Sequence, residues 1–317
     1  MATAQKFLFT RFLEHLEKDK FRSSFTTRAY RSDLASCAGF LKEKGVAGDM
    51  DTRLIVAGGS HLKAFFEDQL GGKSQAHTTV YRKMFALKSF YKWARKRVVL
   101  NEDNPLAFLS SLTQPKRTEI KILRHNDMVK VLEMPDARTF LGSRDHAMLY
   151  LMFTTGIRVS ELIQLELNSL RLSGGRATVK AASGRRSRVL ALTTEMQKSL
   201  KRYLRCRKNK NKKQKRRDGQ KKLVRSNLLF LNKDSVSLSS RSIRRKIDKY
   251  VDMAGLSQFV CPNTIRHTFV VERLMSGTNM DDLNRLLGNR GNPSSSALYS
   301  NLVARLRSES VEGGAAA

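Results

Sequence analysis

An apolar helical run, Ala147, Leu149, Tyr150, Leu151 and Phe153, breaks at Gly156 and resumes with Arg158 and Glu161, so any fold must set a guanidinium at a helix-to-helix corner. Glycine tolerates left-handed backbone angles, which lets the chain turn there and open a second helix with Arg158 in its first turn. Glu161 follows three residues on, on the same face, where a carboxylate holds the guanidinium in place. An arginine held this way offers a planar fork of donors matched to a phosphate; the plainer alternative is an ion pair on a solvated helix face.

Helical periodicity dominates the rest of the chain. Leu8, Phe9, Phe12, Leu13 and Leu16 form a stripe within Phe7–Lys18, and Tyr30, Leu34, Cys37 and Leu41 repeat it within Thr26–Lys44. Glycines 45, 48, 58 and 59 punctuate the next stretch, before a third helix over Ser60–Leu70. The fourth, Thr79–Arg97, carries Val80, Met84, Leu87, Phe90, Tyr91 and Trp93 on one side and basic residues around the rest. These four helices predict an N-terminal module over residues 1–109, closed by Asn104-Pro105, with residues 110–124 as a linker. A second domain, 125–317, is predicted to hold helices over 126–133, 143–153, 239–254, 262–275 and 281–287. A last helix, containing Tyr299, follows a loop over Gly288–Ser296. Between these, Arg176–Lys180 and Arg188–Leu192 read as strands flanking the small, basic turn Ala181–Arg185. The predicted fold class is mainly α with a small antiparallel β-sheet.

Charge names the partner. Sixty Lys plus Arg against 28 Asp plus Glu leave a formal net charge of +32, which points to a polyanion, and nucleic acid is the commonest. Arg28, Arg82, Lys83 and Lys88 of the N-terminal helices, Arg185 and Arg186 of the turn, and Arg241, Arg244 and Arg245 further on are the candidate phosphate contacts. Lys201–Arg225 has Asp218 as its single acid; its like charges repel, so residues 207–224 are expected to form a disordered basic loop. Three distant cysteines, Cys37, Cys206 and Cys261, suggest neither disulfides nor zinc, hence a reducing compartment. No long apolar run marks a signal peptide or membrane span, so a cytoplasmic, nucleoid-associated protein is expected, without a membrane partner.

The ordered set Thr26-Thr-Arg-Ala-Tyr-Arg-Ser-Asp-Leu34, Phe90-Tyr-Lys-Trp93, Thr155-Gly-Ile-Arg-Val-Ser-Glu-Leu162, the hairpin, Ile265-Arg-His-Thr-Phe269, Leu286-Leu-Gly288 and then Tyr299 resembles the tyrosine recombinases, the phage integrases and Xer-type resolvases. The resemblance implies a two-domain clamp on duplex DNA, a helical core-binding domain followed by a catalytic domain. It also implies a homo-tetramer on two DNA sites, with a partner recombinase as a further option. Tyr299 would attack a scissile phosphate to give a 3′-phosphotyrosyl link, with no ATP, metal or other cofactor, because the covalent intermediate keeps the bond energy. Arg158 and Arg266 match the family's two arginines, which neutralise the phosphorane, and Glu161 its supporting acid. Asn263 and Asn289 stand where the family has imidazoles. The hairpin-turn lysine falls at Ser183, which leaves Lys180 as the nearest candidate acid, or a DNA-backbone contact. Those departures keep a second reading open: a recombinase-derived DNA-binding or architectural factor with weakened or lost chemistry. A basic RNA-associated protein would explain the charge but not the ordered motifs.

Overall fold

The apolar stripes of the first hundred residues close on one another as five α-helices: α1 (Leu8–Lys18), α2 (Ser24–Glu43), α3 (Met50–Val56), α4 (Gly59–Gly71) and α5 (His77–Ala94), with a 3-10 turn at Ala107–Ser110. The computed structural model describes residues 8–18, 24–71, 76–98, 100, 105–110, 119–180, 187–217, 226–289 and 293–314. Helix α3 corrects the sequence expectation of a glycine-punctuated connection: the Asp49 side chain caps it by accepting from the Thr52 N–H at 2.8 Å, and Leu54 and Ile55 are buried. The core of this unit stacks Phe12 edge-on to Phe90 at 5.5 Å, with Trp93 beside them, and Tyr91 Oη donates to the Leu54 carbonyl at 2.5 Å.

Contacts divide the chain into Met1–Thr118 and Glu119–Ala317. Most of the expected 110–124 linker, residues 111–118, lies outside the described residues. The second unit comprises α6 (His125–Glu133), α7 (Phe140–Thr155), α8 (Val159–Gln164), α9 (Thr194–Arg217), α10 (Ser240–Met253), α11 (Pro262–Met275), α12 (Met280–Leu287) and α13 (Pro293–Gly314). Its sheet is a three-stranded antiparallel meander, β1 (Leu170–Arg171), β2 (Arg176–Val179) and β3 (Arg188–Ala191), with Ala177 opposite Leu190 and Val179 opposite Arg188. Helix α7 is the unit's axis: Ala147, Met148, Leu149, Leu151 and Met152 are all buried in the main core. No helix among the described residues is long and apolar enough to cross a membrane.

The basic run departs from expectation in an instructive way. Helix α9 runs from Thr194 to Arg217, so the 207–224 segment is not a loop over its first half; residues 218–225 lie outside the described residues. Arg207 explains the continuation: it is buried and donates to the carbonyls of Ser226, Leu228 and Leu229 at 2.7, 2.6 and 2.8 Å. One turn on, Lys210 lies 4.5 Å over the Phe140 ring and its amine reaches the Lys233 carbonyl. Like-charge repulsion along the helix is offset where these cations find carbonyl partners, and periodicity alone does not reveal such partners.

Lys83 is likewise corrected. It is buried between α2, α4 and α5, donating to Ser36 Oγ at 3.2 Å and to Gln69 Oε1, so it cannot reach a phosphate. Burial lowers its pKa, as desolvation of a charged amine requires. Arg82 is part-exposed and donates to the buried Asp33 at 2.6 Å, while Arg28 and Lys88 stand on the surface. On α10, Arg241, Arg244 and Arg245 are exposed. Arg185 and Arg186 lie outside the described residues.

Candidate active site

Two left-handed glycines build the floor of the site. Gly156 ends α7 at φ 57°, and Gly288 ends α12 at φ 63°. Ending a helix this way leaves carbonyls without intrahelical partners, and both arginines use them. Arg266, on the second turn of α11, donates to the Gly156 carbonyl and, at 3.4 Å, to the Leu287 carbonyl. Arg158, at the N-cap of α8, donates to that same Leu287 carbonyl at 3.1 Å and to Asn289 Oδ1. Two guanidiniums more than a hundred residues apart in sequence thus converge on one peptide oxygen.

Glu161 ties this pair to the sheet. Its Oε2 accepts the Arg158 backbone N–H at 3.0 Å, and Arg158 Nη1 lies 3.4 Å from Oε1. Its tighter partner is Arg188, the first residue of β3, which meets both carboxylate oxygens at 2.9 and 2.8 Å in a bidentate fork. Burial by itself would raise the Glu161 pKa; the Arg188 hydrogen bonds, the Arg158 backbone N–H and the two guanidinium charges outweigh it and bring the carboxyl down to about 2. Sequence reading had Arg188 only as the start of a strand. The available signal was alternation: Arg188 shares the inward face of β3 with Leu190, an uncommon place for a charge.

Tyr299 projects from α13 to the same place. It is part-buried, packs beside Phe269, Val270, Leu283 and Leu287, and its hydroxyl lies 2.6 Å from His267 Nδ1. Burial raises the phenol pKa, while the Arg266 and Arg158 charges pull against it. Burial, followed by the Arg158 charge, lowers that of Arg266, although a guanidinium stays protonated. Among the described residues, Arg158, Arg188 and Arg266 against Glu161 leave a surplus of two positive charges, and an anion there would relieve their mutual repulsion. Lys180 is engaged by another partner: its amine is 2.5 Å from Glu166 Oε1 and its side chain is 68% exposed. Asn263 is exposed in the first turn of α11.

The corner is sterically committed to glycine. A Cβ on Gly156 would sit 2.5 Å from Phe269 Cδ1 at a backbone angle that L side chains rarely adopt. Gly156→Ala is expected to cost the second unit about 2–3 kcal/mol by the left-handed penalty plus the displaced ring. Thermal unfolding measures it, and a change below about 0.5 kcal/mol would contradict the packing described.

Comparisons with known proteins show which family the chain resembles in sequence and fold. The sequence model described as the phage integrase family matches residues 121–302, and that of the phage integrase N-terminal SAM-like domain matches residues 9–98. Tyrosine recombinase XerC of Thermodesulfovibrio yellowstonii is 33% identical over 287 residues, covering 90% of this chain and 89% of the relative. XerC of Myxococcus xanthus is 31% identical over 283 residues, covering 89% and 88%. In fold, the chain is similar to the Tn1549 transposon integrase in complex with transposon right-end DNA, at a TM-score of 0.67 and 17% identity over 96% of this chain and 99% of that one. The XerH site-specific recombinase bound to its difH substrate gives 0.64 and 18% identity over 86% and 76%. With two guanidiniums gathered beside a phenol and a likeness that runs through both units, the chain belongs to the phage integrase family and is a tyrosine-type site-specific recombinase.

Proposed function

We propose that the chain is catalytically competent and cuts and rejoins duplex DNA through Tyr299. The carrying observation is the convergence of Arg158 and Arg266 on the Leu287 carbonyl with the Tyr299 hydroxyl close enough to feel both charges. The phenolic oxygen attacks the scissile phosphorus, the 5′ oxygen leaves, and a 3′-phosphotyrosyl bond stores the energy for rejoining. Arg158 and Arg266 neutralise the charge that builds on the non-bridging oxygens, and Glu161 holds Arg158 in register. Asn263 and Asn289, at the positions of the family's imidazoles, serve as hydrogen-bond groups; Asn289, its Oδ1 engaged by Arg158, keeps amide hydrogens to offer a phosphate oxygen. Lys180 can protonate the leaving oxygen only after giving up Glu166. Exposed Arg28, Lys88, Arg241, Arg244 and Arg245, together with Arg82, supply backbone contacts, and Arg185 and Arg186 of the hairpin turn extend them. The working assembly is a homo-tetramer on two DNA sites in the cytoplasm, in line with the strongly basic charge.

The rival reading, a DNA-binding factor without chemistry, draws on the Lys180–Glu166 pair, which occupies the nearest lysine. A nicked duplex separates the two. The DNA site is first selected by the protein from random sequence, and the nick is placed so that cleavage releases a short fragment and prevents rejoining. The expected result is a covalent adduct on a denaturing gel, attached at the DNA 3′ side. Tight, salt-dependent binding with no adduct at any pH would establish the rival.

A further inference from the structure

We infer that His267 takes the proton from Tyr299 during strand cleavage, a role resting on the proposal that Tyr299 is the nucleophile. His267 follows Arg266 on α11, and the same helix that presents a phosphate-facing guanidinium presents an imidazole to the attacking oxygen. Its Nδ1 lies 2.6 Å from Tyr299 Oη, and the two rings are tilted at 5.7 Å between centroids. With the phenol donating, Nδ1 accepts and Nε2 carries the imidazole hydrogen, an assignment made from the partner, since only one of the two atoms can donate. Among the described residues, the Arg266 guanidinium is the charge that bears on His267, and the Tyr299 phenol is the titratable group that faces it from α13.

The ring is in the right protonation state. Burial, and then the Arg266 charge, lowers its pKa below the ordinary 6.5, so it is neutral and able to accept at pH 7. A raised phenol pKa makes the need plain: little phenolate exists before attack, and the proton must move as the new bond forms. In the step, the Tyr299 O–H bond breaks and its proton goes to Nδ1. The freed electron pair forms the oxygen–phosphorus bond. The P–O5′ bond breaks with its pair on the 5′ oxygen, which takes up a proton from solvent, and the imidazolium later returns its proton to solvent. Neither Asn263 nor Asn289 can accept a proton, which leaves His267 as the group in contact with the nucleophile that can.

The test is single-turnover cleavage of the nicked duplex from pH 5 to 8.5 by the parent chain, His267→Asn, His267→Ala and Tyr299→Phe. Parallel reactions use sulfur in place of the 5′ bridging oxygen. His267→Asn keeps an acceptor near the phenol but cannot hold a proton. It is expected to bind the duplex as the parent does, to cleave about 100-fold more slowly, and to lose the acid-side fall in rate expected of the parent as His267 takes up a proton. The deficit persists with sulfur, because a thiolate leaves without an acid, and added imidazole restores part of the rate to His267→Ala. Cleavage by His267→Asn within about two-fold of the parent, with the same pH dependence, would overturn the inference while leaving Tyr299 as nucleophile. So would a deficit that vanishes with sulfur, which places His267 at the leaving group. An adduct that survives Tyr299→Phe overturns the nucleophile itself.

Discussion

Tyr299→Phe is expected to abolish the covalent DNA adduct and to leave the fold and duplex binding in place. The substitution removes one oxygen and keeps the ring, whose packing against Phe269, Val270, Leu283 and Leu287 is apolar. The lost hydrogen bond to His267 is part-exposed and replaceable by water, so stability should change by no more than about 1 kcal/mol. Chemistry, in contrast, has no substitute if Tyr299 is the proposed nucleophile, because the proximity of the attacking oxygen is lost entirely with the atom itself. Adduct formation and affinity measured on one DNA preparation distinguish the two effects. Retained adduct would move the nucleophile elsewhere; lost binding together with lost adduct would point to a structural role for the phenol.

The largest expected loss of stability comes from a residue of the sheet, Arg188, through its fork on Glu161. Arg188→Ala leaves the Glu161 carboxylate, buried and ionised, with Arg158 as its remaining guanidinium. Breaking one side of a buried pair costs about 3–5 kcal/mol, because the surviving charge keeps its desolvation penalty. For a unit of this size that corresponds to a fall in Tm on the order of 10 °C. The double variant Arg188→Met with Glu161→Gln removes both charges and should recover most of the loss. A pH signature accompanies it. The folded Glu161 pKa, about 2, lies below its ordinary 4.5, so the ionised carboxylate's contribution is present above pH 4.5 and is lost as pH falls from 4.5 toward 2. Arg188→Ala should flatten that acid limb. Thermal unfolding between pH 3 and 7 measures both, and a loss under 1 kcal/mol at pH 7 with an unchanged acid limb would show the fork to be dispensable. Cleavage should fall as well, since Arg158 is held by the same carboxylate.

How much of this could be read from the chain depends on the range of the interaction involved. The Gly156 corner was legible because its cause is local: an apolar helical run, a residue free of the left-handed penalty, and a helix restarting at Arg158–Val159. The β2–β3 hairpin was legible because a period of two is a backbone property, and helix α11 because Pro262 and the run from Ile265 to Val271 mark its start and its buried face. Helix α3 was missed because seven residues carry too few apolar positions to show a period.

By itself, the sequence determined the helical architecture, the β2–β3 hairpin, the strong positive charge and the presence of two arginines and a tyrosine at telling spacings, all set by residue type and near neighbours; the short third strand, β1, was not foreseen. Tertiary structure alone decided which basic side chains face solvent and which are spent inside: Lys83 on Gln69 and Ser36, Arg207 on three carbonyls, Arg188 on Glu161. It also decided that an imidazole next to Arg266 meets a phenol thirty-two residues further on. A charge is a property of a residue, but its partner is a property of distance in space, and no period along the chain encodes which remote carbonyl, carboxylate or hydroxyl folding brings within 3 Å.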